Sequence, residues 1–223
     1  MRVKEKNFLP GKKLNGTASM KKRNFTFAFA ILLITITSLV SSVSSAQDIY
    51  VKTPSDYEGP FYPVIRQLDE DNDLLHVADQ PEAAQGAILN LSGVVLNTQG
   101  QPQKGVIVEI WQTDPSGKYK DSRDNTPGKR DPNFQYWGKA TTAADGTFFF
   151  KTLVPGGYAP RPTHIHYKVW VDSEVRLTSQ IYFKNHPGIP ESAPARLPAS
   201  DKQTIELRST RPNEFEGFFQ IVI

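Results

Sequence analysis

From Ile88 onward the chain alternates apolar and polar residues in short runs, and the runs are separated by turn-forming residues. Ile88 to Leu96 alternates and breaks at Asn97-Thr98-Gln99-Gly100-Gln101-Pro102; Val106 to Trp111 follows and breaks at Asp114-Pro115-Ser116-Gly117. Ala144-Asp145-Gly146 leads into Thr147 to Leu153. The segment ending at Trp170 comes next, then Val175 to Phe183, Thr204 to Leu207 and Gly217 to Ile223. A period of two places successive side chains on opposite faces of a strand, and no segment carries the 3.6-residue apolar repeat of a helix. Short strands without crossover helices predict an all-β fold, an antiparallel two-sheet β-sandwich, with residues 85–223 as its domain.

Two stretches do not fit a simple run of strands. The polar segment from Lys118 to Gly138 is too long for a plain connection, and loops of that kind in a small domain usually carry function. Residues 47–84 lack periodic apolar patterning and read as an extended N-terminal arm. Within it, Glu58-Gly59-Pro60-Phe61-Tyr62-Pro63 reads either as a strap laid over a hydrophobic surface or as an ordinary tether. Asp69-Glu70-Asp71-Asn72-Asp73 reads as a solvated loop.

The first 46 residues have a different character. Met20-Lys21-Lys22-Arg23 precedes an uncharged apolar run from Phe25 to Val40, and small residues follow up to Ser44 and Ala46. This is the pattern of a secretory signal cut after Ala46, with Met20 the better initiator; its rival is an uncleaved membrane anchor. The expected location is therefore periplasmic or extracellular. Eight of the 26 Lys/Arg and one of the 23 Asp/Glu lie in residues 1–46, so the remainder, 18 basic and 22 acidic, carries −4 rather than the +3 of the whole chain. The basic isoelectric point belongs to the leader, and nucleic-acid binding is not expected. With no cysteine, stability has to come from the apolar core.

Candidate chemistry concentrates in Gly156-Gly157-Tyr158-Ala159-Pro160-Arg161-Pro162-Thr163-His164-Ile165-His166, which holds two of the four histidines. On a strand, His164 and His166 share a face while Ile165 points the other way. Such a pair can converge on one metal ion or stand as exposed strand residues. No carboxylate lies within the stretch; the nearest, Asp145 and Asp172, sit in turn contexts. The oxygen donor at hand is tyrosine, whose phenolate suits iron(III) better than zinc or iron(II). His76 and His186 read as surface residues, and Tyr136 and Trp137 either as a pocket wall or as packing over a sheet edge.

These residues, taken with Leu91-Ser92-Gly93-Val94-Val95, Gly105 to Tyr119, Asp131-Pro132-Asn133-Phe134, Asp145 to Tyr158 and Gln180-Ile181-Tyr182-Phe183, resemble the intradiol ring-cleavage dioxygenases. The Glu58 to Pro63 strap matches as well, so the resemblance runs in order over most of residues 58–183. It implies a non-haem iron(III), Fe(3+), centre held by Tyr119, Tyr158, His164 and His166 with a solvent hydroxide. It further implies that Arg161 lies over a catecholic substrate and Gln180 beneath it. The implied reaction inserts O2 between the two hydroxylated carbons to give a cis,cis-muconate, and Tyr158 leaves its place as the substrate enters. Self-association is compatible with the resemblance, although the N-terminus has little room for the helical dimerisation domain of catechol-type members. Five residues separate Tyr158 from His164, where better-known members carry a longer loop. Lys184-Asn185-His186-Pro187 also departs from the acidic version of the family. Two readings stand beside this one: a non-catalytic transthyretin-like or carboxypeptidase-regulatory-like binding module, and a zinc or copper hydrolase built on the same histidines.

Overall fold

Along Ile88–Leu96 (β1) the sequence alternation becomes alternate burial, with Leu89, Leu91, Gly93 and Val95 buried and the residues between them half-exposed. The structure, a computed structural model, describes residues 50–64, 69–158, 161–184 and 203–223. The leader and His186 lie outside the described residues. After β1 come Ile107–Trp111 (β2), Trp137–Thr141 (β3), Thr147–Leu153 (β4), His164–Val171 (β5), Glu174–Lys184 (β6), Thr204–Glu206 (β7), Arg208–Arg211 (β8) and Glu214–Val222 (β9). No α-helix occurs among the described residues, and none of their segments is a helix long and apolar enough to cross a membrane.

The strands form two sheets in the orders β4-β1-β9-β8 and β3-β2-β5-β6-β7. The expected sandwich is present, but its sheets are mixed rather than purely antiparallel: β9 runs parallel to β1, and β7 parallel to β6. A two-residue period reports which face a side chain takes and is blind to the direction of the neighbouring strand. Leu89, Leu91, Phe148, Phe150, Phe219 and Ile221 from one sheet meet Val108, Ile110, Ile165, Tyr167, Val169 and Ile181 from the other in one core. Fully burying each such side chain stabilises the fold by about 1.5–3 kcal/mol before entropy is counted.

The other face of the second sheet is also covered. Six consecutive residues of β5, His164 to Val169, are all buried, although only the alternate ones Ile165, Tyr167 and Val169 reach the core. The segment 50–63 lies over the outward-facing set. Asp56 N–H donates to the Thr178 carbonyl (3.0 Å), Ser179 Oγ to the Pro54 carbonyl (2.8 Å) and Tyr62 Oη to Glu109 Oε1 (2.9 Å). Lys168 Nζ sits 3.3 Å from the centroid of the Tyr62 ring and 2.9 Å from Glu58 Oε2. Of the two expectations for Glu58 to Pro63, the strap over a hydrophobic surface is therefore the one observed.

Several elements differ from the alternation. β3 follows the long loop directly, pairing with β2 from Trp137 opposite Trp111 to Thr141 opposite Ile107. Its sequence, Trp-Gly-Lys-Ala-Thr, has no apolar alternation because it is an edge strand. β8 is Arg-Ser-Thr-Arg, exposed throughout and likewise at an edge. β9 begins at Glu214, ahead of the expected Gly217. The acidic segment 69–73 is hydrogen-bonded rather than simply solvated: Lys139 N–H donates to the Asp71 carbonyl (3.2 Å) and Lys151 N–H to the Asn72 carbonyl (2.8 Å). Leu74 and Leu75, next to it, enter the core.

Candidate active site

Period two on β5 and its neighbours assembles the site. His166 pairs in register with Trp111 of β2 and Gln180 of β6, and His164 with Tyr182 of β6, so all five share the strap-covered face. Both histidines are 3% exposed, which excludes the reading as surface strand residues.

Tyr119 comes from the far end of β2. The chain leaves β2 into a turn in which Asp114 Oδ1 accepts from Ser116 N–H (2.9 Å) and Lys118 N–H (3.2 Å), and Gly117 takes φ +82°. Asp124 Oδ2 then accepts from Tyr119 N–H (2.6 Å), and Arg130 Nε donates to the Tyr119 carbonyl (2.9 Å). The same turn is stitched to the stretch carrying Tyr158. Thr113 Oγ1 donates to the Gly156 carbonyl (2.8 Å) and Gly156 N–H to the Asp114 carbonyl (2.9 Å). A Cβ on Gly156 would stand 2.4 Å from both Gly117 N and the Pro115 oxygen, so this close backbone approach requires glycine. The two tyrosines are thereby tied to each other through backbone, and their rings meet edge to face at 5.7 Å.

The donor atoms converge. His164 Nε2 and His166 Nε2 are 3.0 Å apart, and Tyr119 Oη is 3.4 Å from the first and 3.1 Å from the second. His164 Nδ1 lies 2.5 Å from the Pro162 carbonyl, which can only accept; Nδ1 therefore carries the proton and Nε2 the lone pair. His166 is oriented differently. Its Nδ1 is buried without a hydrogen-bond partner, and its ring lies flat against the Trp111 indole, centroids 4.8 Å apart at 7°. Tyr158 is half-buried, its ring 5.7 Å from that of His164 and its hydroxyl within hydrogen-bonding reach of Tyr119 and Arg161.

Burial sets the protonation of this cluster. It pushes the Tyr119 phenol well above its ordinary value, with the Tyr158 hydroxyl adding to the effect and Arg161 opposing it; it also raises Tyr158, again against Arg161. It lowers His164 to about 4 and holds His166 well below the ordinary imidazole value, the neighbouring His164 contributing to the latter. Two neutral imidazoles thus bring their Nε2 atoms within 3.0 Å of each other beside a phenol. With the proton of each ring on Nδ1, the two Nε2 lone pairs and the phenol oxygen would face one point, the arrangement a metal ion requires. Among the described residues no group of three or more His, Cys, Asp or Glu is placed to hold an ion, so a carboxylate-based triad has no third ligand here. The two-tyrosine, two-histidine set fits a ferric ion.

Arg161 lies at the rim of the cluster, its Nη2 donating to Gln180 Oε1 (2.5 Å) and to Tyr182 Oη (3.3 Å). The residues the sequence brought forward, Tyr119, Tyr158, Arg161, His164, His166 and Gln180, all come together. Trp111 backs His166; Asp56, Phe61 and Tyr182 were not singled out. Phe61 lies 5.0 Å from the Tyr119 ring, and Gly59, at φ +78°, passes so close that a Cβ would stand 3.2 Å from His166 Cε1. The signal for Tyr182 was present, since Gln180-Ile181-Tyr182 repeats on β6 the alternation of His164-Ile165-His166. Tyr136 is buried with its hydroxyl donating to Asp114 Oδ2 (2.8 Å). Trp137 lines a separate cavity of about 580 Å³ with Tyr62, Glu109, Lys139 and Trp170. His76 is exposed, 3.3 Å from Asp73 Oδ2.

Comparison with known proteins agrees with this geometry. Residues 57–215 match the family model described as Dioxygenase. The chain is 34% identical over 144 residues to the protocatechuate 3,4-dioxygenase beta chain of Burkholderia cepacia, covering 57% of this chain and 61% of that one. It is 28% identical over 166 residues to catechol 1,2-dioxygenase 1 of Acinetobacter lwoffii, covering 66% and 51%. The chain thus spans about half to three-fifths of the length of these curated relatives. Among solved structures, it resembles the dioxygenase domain of a dioxygenase–carbohydrate-binding protein fusion from Streptomyces sp. SirexAA-E, with 30% identity, TM-score 0.60, and 78% of this chain and 98% of that one covered. An intradiol ring-cleavage dioxygenase from Tetranychus urticae is similar at 26% identity and TM-score 0.60, with 78% and 95% covered. A family model matched from the strap to β9, on a sandwich whose covered face gathers two tyrosines, two histidines and an arginine, shows that the chain belongs to the intradiol ring-cleavage dioxygenase family.

Proposed function

We propose that this protein is an iron(III)-dependent intradiol dioxygenase that opens a catecholic ring between its two hydroxylated carbons, both atoms of O2 entering a cis,cis-muconate-type product. The observation that carries the reading is the convergence of Tyr119 Oη with two imidazole Nε2 atoms, all pairwise within 3.4 Å, beside the Tyr158 phenol. Tyr119, Tyr158, His164 and His166 would hold the ion. When bound, the ferric ion supplies Lewis acidity and a template for the catechol oxygens.

The chain's own residues divide the remaining work. Tyr119, 3% exposed and fixed at its backbone by Asp124 and Arg130, is the permanent member of the set. Tyr158 is the more accessible phenol, and its Oη is the acceptor for a proton given up by an entering catechol hydroxyl. Arg161 sets a fixed positive charge beside that position, where negative charge develops on the ring under attack by dioxygen. Gln180, with no exposed surface, holds the guanidinium from below. Gly59, Phe61 and Trp111 close the strap side and keep water from the histidines. The leader pattern in residues 1–46 supports a periplasmic or extracellular location for this activity.

A zinc or copper hydrolase on the same histidines would turn over without consuming dioxygen, and a binding module would not turn over at all. An oxygen electrode separates the dioxygenase from both on the iron-loaded protein with catechol, hydroxyquinol, protocatechuate and larger polyphenols. Uptake matched by a ring-opened dicarboxylate is expected for at least one of them; no uptake with any of them overturns the proposal.

A further inference from the structure

Arg161 is held by a hydrogen-bonded chain that ends on the strap, and the direction of that chain depends on one carboxylate. The Arg161 guanidinium donates to Gln180 Oε1 and to Tyr182 Oη. Gln180 Nε2 donates to the Tyr57 carbonyl of the strap, which fixes the amide so that Oε1 faces Arg161. Tyr182 has a single proton and two acceptors at 2.9 Å, Asp56 Oδ2 and Gln180 Oε1. The carboxylate is the stronger acceptor, so the proton goes to Asp56 and the Gln180 oxygen stays free for the guanidinium. Without the carboxylate the Tyr182 proton would turn to Gln180 and compete with Arg161 for the same oxygen. Asp56 is itself fixed on β6 by its N–H bond to the Thr178 carbonyl (3.0 Å).

Resting on the ring-cleavage reading above, we propose that Tyr182 and Asp56 are positioning residues for Arg161, so that the strap aims the charge that acts on the substrate ring. Neither residue touches the proposed ligand set through a donor atom, and the aim of a guanidinium bears on the transition state more than on substrate binding.

Three readouts test this on the full chain. For the iron-loaded protein, Tyr182→Phe and Asp56→Asn are expected to lower kcat by roughly 10- to 100-fold with little change in KM. The visible spectrum should stay that of the unaltered protein. In an Arg161→Lys background the same substitutions are expected to cause no further loss, which a general structural defect would not reproduce. In the iron-free protein, arginine side-chain NMR is expected to show Arg161 N–H protons protected from exchange in the unaltered chain and released in both variants. Asp56 lies on the half-exposed strap, so Asp56→Asn carries the test if Tyr182→Phe does not fold. Unchanged kcat, a loss that persists in the Arg161→Lys background, or undiminished protection of Arg161 overturns the proposal. Absence of ring cleavage by the unaltered protein instead removes the functional reading, and the NMR arm still reports whether Tyr182 and Asp56 hold Arg161.

Discussion

At the scale of single residues, the two histidines are oriented by different means. His164 is fixed by a hydrogen bond from Nδ1 to the Pro162 carbonyl, the usual way a metal-binding imidazole is held. His166 has no such bond and relies on the flat indole of Trp111. Trp111→Leu is therefore expected to weaken iron retention by about 10- to 100-fold, the scale at which a lost supporting contact costs a metal site. Trp111→Phe, which keeps an aromatic face, should recover most of it. Equal iron content in all three proteins after dialysis against a chelator would remove the stacking role. Tyr119 and Tyr158 make a second residue-scale prediction. Burial holds both phenols protonated at neutral pH in the iron-free protein, so ferric loading must release their protons. A pH-stat is expected to record that release, reduced in Tyr119→Phe; loading without net proton release would mean that the tyrosines are not ligands.

At the scale of elements, the strap makes a buried site out of an otherwise exposed sheet face. Its sharpest point is Gly59, where φ is +78° and a side chain would press on His166. Gly59→Ala is expected to destabilise the iron-free protein by about 1–2 kcal/mol, the cost of a left-handed conformation for an L-residue, and to weaken iron retention further. Thermal unfolding with and without iron checks both effects; a melting curve matching that of the unaltered protein would show that the strap does not lie as described. What the sequence revealed here followed physical periodicity. The faces of β1, β4, β5 and β6 were legible because alternation is a direct consequence of the pleat, and the His164–His166 pair was legible for the same reason. The edge strands β3 and β8 were not, since an edge takes its conformation from hydrogen bonds to a neighbour and needs no apolar alternation. The stacking of Trp111 on His166 was not legible, because it comes from register with β5, which no single strand records.

At the scale of the whole molecule, the site draws on distant parts of the chain. Tyr119 comes from the end of β2, the histidines from β5, Gln180 and Tyr182 from β6, and Asp56 to Phe61 from the strap. The family resemblance supplied the list of proposed ligands, but their convergence depends on sheet order and on the Gly156–Gly117 stitch, which are tertiary properties. The same is true of the parallel placement of β9 between β1 and β8. Because the ligand set exists only in the folded chain, bound iron should raise the midpoint of thermal unfolding in proportion to its affinity. The central claim is that two tyrosines and two histidines of this sandwich hold a ferric ion, and the visible absorption spectrum of the ferric-loaded protein tests it most directly. The account predicts a broad tyrosinate-to-iron(III) charge-transfer band and a red-brown protein, with the band shifted and weakened in Tyr158→Phe. A colourless protein after ferric loading would contradict it.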